Sequence, residues 1–157
     1  MTSDFDKVLD LAASHHGGRE GVDAKLAEYP PKYADPAQVP DDRALAELSR
    51  TIFHTGLSWK VVENKWGGIE EAFEGFDPQK VGAYHEEDLD RLLSDARIIR
   101  SGAKVSAIIH NAGVICEIAA EHGSFGKYLA TWAPAQQVEL LAELQKRMKR
   151  LGGSTGP

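Results

Sequence analysis

The 157-residue sequence contains one cysteine, Cys116. An intrachain disulfide and a four-cysteine zinc site are therefore both excluded, and a reducing cytoplasm is the expected setting. Aromatic residues make up only 8%, and no alternating apolar and polar stretch is long enough for a useful strand. No apolar run approaches the ~20 residues of a membrane span, so no membrane partner is expected. The N-terminal MTSDFDKVLD has acids where a signal peptide carries a basic and then an apolar stretch. There is no Walker loop, dinucleotide fingerprint or Gly-x-Ser-x-Gly elbow, and no internal repeat or low-complexity tract. The six histidines lack a ligand spacing such as His-Glu-x-x-His, so neither a metal nor a cofactor is expected. Glu70-Glu71 and Glu86-Glu87-Asp88 read as surface or first-turn helix acids, and Cys116 reads as a buried small hydrophobe.

What is present is helical periodicity. Residues 3–15 place Phe5, Val8, Leu9 and Ala12 on one stripe. After Gly17-Gly18 and a weakly helical stretch, Pro30, Pro31, Pro36 and Pro40 predict a loop over about 29–40. Asp41 or Asp42 then caps a helix to about His54, with Leu45, Leu48 and Ile52 inward. Ser58 caps a helix with Trp59, Val62 and Trp66, which Gly67-Gly68 closes, and a short helix with Ile69, Ala72 and Phe73 follows. Asp77-Pro78 has the form of an N-cap with proline at the first helical position. Helices follow at His85–Leu93, about 103–122 and about 135–149, the last with Val138, Leu141, Leu144 and Met148 on one face. The expected fold is one all-α domain over 1–157: an N-terminal helical segment (1–28), the proline-rich loop (29–40) and a core (41–150). With 42% hydrophobic residues, a chain of this length buries roughly two-thirds of its unfolded surface.

The net charge of −6 is unevenly placed: residues 1–96 carry −10 and residues 97–157 carry +4. An acidic total therefore does not exclude an anionic partner, because only one basic face has to meet phosphates. A solvated surface explains the same split.

Two segments carry candidate chemistry. The first, Arg97-Ile98-Ile99-Arg100-Ser101-Gly102-Ala103-Lys104, joins a short helix to a long one through a tight turn, with three basic residues and no acid. Ser101 is placed to cap the long helix. Unpartnered N–H groups at the helix start suit a phosphate oxygen, Gly102 permits close approach, and Arg97, Arg100 and Lys104 add charge. An ordinary turn with a solvated basic rim reads equally from these residues. The second segment is Phe53-His54-Thr55-Gly56-Leu57-Ser58-Trp59, with Trp66 beyond it. Phe53, Trp59 and Trp66 are candidates for stacking on a base drawn out of a duplex, and Leu57, at a turn, for wedging into the gap left behind. Aromatics at helical spacing are more often core.

These pieces have a counterpart. From about Asp41 to Ala112 the sequence resembles the DNA-3-methyladenine glycosylase I family, a branch of the helix–hairpin–helix glycosylases. The matching segments are TGLSWKVVENKW, AFEGFDPQKVGAYHEEDLDRLL and DARIIRSGAKVSAIIHNA, in the family's order and spacing. The resemblance implies an all-α fold with a helix–hairpin–helix DNA-binding element and cofactor-free excision of 3-methyladenine from double-stranded DNA. It implies no obligate protein partner. By the same resemblance Trp59 matches the pocket tryptophan, Leu57 the intercalating position, and Arg100 to Lys104 the phosphate-binding hairpin. Where the family has a pocket glutamate, eight residues before that tryptophan, this chain has Thr51. Thr51 and His54 are then the candidates for polar contact with the base. The N-terminal segment lacks the family's tyrosines and the Cys/His pair of its structural zinc site, and the family continues beyond the helix matching 135–149. A divergent member, seen either as a fragment or as a form shortened at its C-terminus, is the expectation that results. The alternative is a non-catalytic DNA-binding or lesion-sensing module that keeps the hairpin without the chemistry.

Overall fold

Apolar residues at helical spacing, punctuated by glycine and proline, become helices wherever the spacing persists. The computed structural model describes residues 4–152, and among these there is no strand. The helices are α1 (Asp4–His15), α2 (Arg19–Ala27), α3 (Asp41–His54), α4 (Trp59–Ala72), α5 (Pro78–Gly82), α6 (Glu86–Ser94), α7 (Gly102–His122), α8 (Phe125–Ala130) and α9 (Gln137–Arg147), with 3-10 turns at Pro36–Gln38, Glu74–Phe76 and Pro134–Gln136. The all-α expectation holds. The chain divides into two compact units between Ala34 and Asp35.

The first unit is the pair α1 and α2, turned at Gly17 and Gly18, whose φ values of 77° and 94° suit glycine. Its expected apolar stripe is only partly covered: Leu9 and Ala12 are half-buried, whereas Phe5 and Val8 are exposed. An Arg19–Asp10 ion pair at 2.6 Å links the two helices.

The second unit is organised around α7. Val105, Ile108, Ala112, Ile115 and Ile118 along it are fully buried, against Leu45 and Ile52 of α3, Ile69 of α4, Val81 of α5 and Leu92 of α6. Each large aliphatic side chain so buried contributes about 1.5–3 kcal/mol. With 21 residues, α7 is long and apolar enough by length and composition to cross a membrane. Val105, Ile108, Ala112, Ile115 and Ile118 on it are buried in this core. Cys116 on the same helix is half-buried rather than buried, and its surroundings raise its thiol pKa, burial first among the causes. Asn111, also fully buried, holds the segment after α9: its Oδ1 accepts from Lys149 N at 2.7 Å and its Nδ2 donates to Lys149 O at 3.0 Å.

Three local expectations change. The residue flanking α3 is Pro40, not an aspartate; Asp41 is the first helical residue, and its Oδ1 accepts the Phe125 N–H at 2.8 Å, so it caps α8 across the fold. Gly67-Gly68 does not stop α4, which runs on to Ala72. A Cβ on Gly68 would lie 2.9 Å from Arg97 Cβ, so this glycine serves close packing of α4 against the 95–101 turn. Third, Val138 is exposed, and α9 packs through Leu144 and Met148. Asp77 Oδ1 does cap α5 through Gln79 N at 3.0 Å.

Candidate active site and nucleic-acid interface

The turn between α3 and α4 presents the aromatic segment. Gly56 takes φ 76°, and Leu57 N donates to His54 O at 3.0 Å, closing a tight corner. Beyond it Trp59 begins α4 and is 64% exposed, while Leu57 on the corner is 39% exposed. Both side chains are available to a ligand. The other two aromatic candidates are not: Phe53 is 0% exposed and packs edge-on against Phe73, and Trp66 is 8% exposed and stacks on Phe76 at 5.4 Å. Both belong to the core.

Thr51 is exposed, and its hydroxyl donates back to the Glu47 carbonyl at 3.1 Å. It offers no carboxylate and is already engaged with its own helix. His54 is turned inward, its ring stacked on the Trp59 indole with centroids 3.7 Å apart and planes 23° apart. Its Nε2 lies 3.4 Å from Glu63 Oε1, which is 3.7 Å from Arg50 Nε. All three atoms are buried, and none completes a hydrogen bond. These are therefore contacts of charge and proximity. An unsatisfied buried polar atom costs about 1–3 kcal/mol. The Arg50 guanidinium also lies 4.3 Å from the Trp66 ring centroid. Burial lowers the His54 pKa against the pull of Glu63.

Glu63 and Arg50 were not among the residues singled out from sequence. A signal was present: Arg50 and His54 are four apart on α3, and Trp59 and Glu63 four apart on α4, so each pair shares a helix face.

The hairpin joins α6 to α7 as expected. Ser101 caps α7, its Oγ accepting from Lys104 N at 3.4 Å. The N–H groups of Gly102 and Ala103 find no acceptor among the described residues. A Cβ at Gly102 would meet only Leu93 Cδ1, at 3.8 Å, so packing alone does not demand glycine there. Arg100 is exposed and has no ion pair among the described residues. Arg97 and Lys104 are committed within the fold. Arg97 pairs with Asp95 at 2.7 Å and Glu71 at 3.1 Å. Its hydrogen bonds hold the Asp95 carboxyl down at about 2. Lys104 is buried, and its Nζ donates to the carbonyls of Thr55 at 2.6 Å and Phe53 at 3.1 Å. It thereby caps the C-terminal end of α3, where carbonyl groups lack helical partners. The same bond sets the start of α7 beside the corner that carries Leu57 and Trp59.

Hydrogen-bond donors on the hairpin and an open indole thus share one region. An all-α fold built round two helices and a tight hairpin, with an aromatic corner tied to it, defines the helix–hairpin–helix class. The family model for methyladenine glycosylase matches residues 31–151. DNA-3-methyladenine glycosylase 1 of Escherichia coli is 51% identical over 57 residues, 36% of this chain and 30% of that protein. DNA-3-methyladenine glycosylase of Haemophilus influenzae is 40% identical over 57 residues, 31% of its length. The matched stretch thus spans less than a third of either curated relative. A solved structure of 3-methyladenine DNA glycosylase I from Staphylococcus aureus superposes with a TM-score of 0.63 at 28% identity, covering 75% of this chain and 73% of that one. The chain belongs to the methyladenine glycosylase family.

Proposed function

We propose that the chain excises alkylated adenine from double-stranded DNA, hydrolysing the N-glycosidic bond of 3-methyladenine and leaving an abasic site. The observation that carries this reading is the open Trp59 indole beside the hairpin, joined to it through Lys104. A base inside a duplex cannot reach such a surface, so it must be extruded, and Leu57 at the corner is positioned to fill the space it leaves. The Gly102 and Ala103 N–H groups and the Arg100 guanidinium supply the phosphate contacts that hold the backbone while this happens. An N3-alkylated adenine in DNA is cationic with a weakened glycosidic bond. Stacking on indole therefore gains a cation–π contribution, and leaving-group activation demands little acid–base help.

A second reading, a lesion-binding module without chemistry, draws on Thr51, whose hydroxyl points back to Glu47 where the family's carboxylate stands. A duplex with a single 3-methyladenine separates the two. Excision predicts alkali-sensitive strand breaks at the lesion after incubation with the chain. Salt-sensitive binding with an intact strand supports the module instead.

A further inference from the structure

Arg50 Nε, His54 Nε2 and Glu63 Oε1 converge at the inner side of the aromatic corner, each shut off from solvent and each without a hydrogen-bond partner. Polar groups left in this condition call for an explanation, and one is that their partner arrives from outside. The stacking of His54 suggests which partner. One ring lies on the Trp59 indole at 3.7 Å and turns a nitrogen edge toward a carboxylate oxygen at 3.4 Å. An extruded cationic purine needs the same two things: a π face to lie on, and an acceptor with negative charge for its N–H edge.

We infer that His54 occupies the place on Trp59 that the extruded base takes, and that Glu63, on α4, is the carboxylate that receives the base when His54 moves aside. This rests on the excision reading above. The exchange needs a side-chain rotation at the last residue of α3, beside the Gly56 corner. The charged groups facing His54 come from three elements: Arg50 on α3, Glu63 on α4 and Lys104 on α7. Burial, Arg50 and Lys104 lower its pKa, and Glu63 raises it; the net is downward, so the imidazole is neutral near pH 7. A neutral ring leaves the Glu63 charge available to an incoming cation. Arg50, beside the Trp66 ring, places its charge 3.7 Å from the same carboxylate oxygen. The acid that position 51 does not supply is in this way provided from the next helix.

The test is titration of the chain with 3,9-dimethyladeninium, which keeps the positive charge that 3-methyladenine loses on leaving the sugar, with neutral 9-methyladenine as the comparison, followed by NMR of the His54 ring and by tryptophan fluorescence. The indole shields the His54 ring protons, and base binding is expected to move them toward unshielded positions. His54→Ala should bind the base at least as tightly as the parent. Glu63→Gln, which keeps the volume, should bind the cation about tenfold or more weakly and lose the preference over 9-methyladenine. Unmoved His54 signals at saturating base overturn the inference, as does weakened binding in His54→Ala, unchanged binding in Glu63→Gln, or no binding by any form. Base release from alkylated duplex is measured on the same proteins. Binding of the cation without release overturns the excision reading and leaves only the exchange of His54 for the base; full release by Glu63→Gln overturns this inference and leaves excision standing.

Discussion

The Lys104 ammonium donates to the carbonyl of Thr55 at 2.6 Å, pinning the first turn of α7 to the corner that follows α3. Its second bond, to Phe53 at 3.1 Å, completes a cap on the end of α3. One buried cation therefore sets the spacing between the hairpin and Trp59.

Replacing that cation exposes what it holds. Lys104→Met leaves two carbonyl groups short of a donor and should lower stability by about 1–3 kcal/mol in urea unfolding. The salt dependence of DNA binding by the folded variant should stay that of the parent. A slope lowered by about 0.9, the loss of one phosphate contact, would return Lys104 to the DNA face.

Arg100 is expected to behave in the opposite way. It is exposed and unpaired among the described residues, so Arg100→Ala should leave the urea midpoint in place. The slope of log affinity against log salt should fall by about 0.9, equally for damaged and undamaged duplex. An unchanged slope would remove Arg100 from the interface.

Much of this arrangement was legible in the sequence, for physical reasons that differ by residue. The hairpin was readable because a serine cap, a glycine and a long apolar period leave few alternatives to a turn feeding a helix. Trp59 was readable from its place after the Gly56 corner together with the family resemblance. Phe53 and Trp66 illustrate the limit, since helical spacing fixes which residues share a stripe but not whether that stripe faces ligand or core. Lys104 shows the same for charge: composition gives a cation near the turn, and only tertiary packing reveals that carbonyls 49 and 51 residues away hold it. Gly67-Gly68 reads as a stop because glycine disfavours helices by roughly 1 kcal/mol, yet α4 continues through it, with Gly68 packed closely on Arg97.

Ser49 offers a test of packing. It is fully buried with a hydroxyl that has no partner. Ser49→Ala removes an unsatisfied polar atom and should leave stability unchanged or raise it by up to about 1 kcal/mol, read as an equal or higher urea midpoint. A clear loss of stability would show that the hydroxyl does have a partner in solution.

The Asp95–Arg97 pair predicts an acid-limb effect. The Asp95 carboxyl is lowered from its usual 3.8 to about 2, chiefly by hydrogen bonds from Arg97. A carboxylate lowered in the folded state contributes stability above its unfolded pKa and loses it as pH falls through the folded one. The contribution should therefore be intact above pH 3.8 and decline toward pH 2. Asp95→Asn should flatten that part of the stability profile; an identical acid limb in the variant would contradict the assignment.

Base release is proposed to depend on the indole of Trp59, on which the extruded base lies. Its most direct measurement is the identity of the free base liberated from methylated duplex DNA by the purified chain and by Trp59→Ala. Because Trp59 is exposed, the variant should fold as the parent does. The parent should liberate 3-methyladenine and Trp59→Ala none above background, with weak duplex binding retained by both. Equal release by the two proteins, or none by the parent, would contradict it.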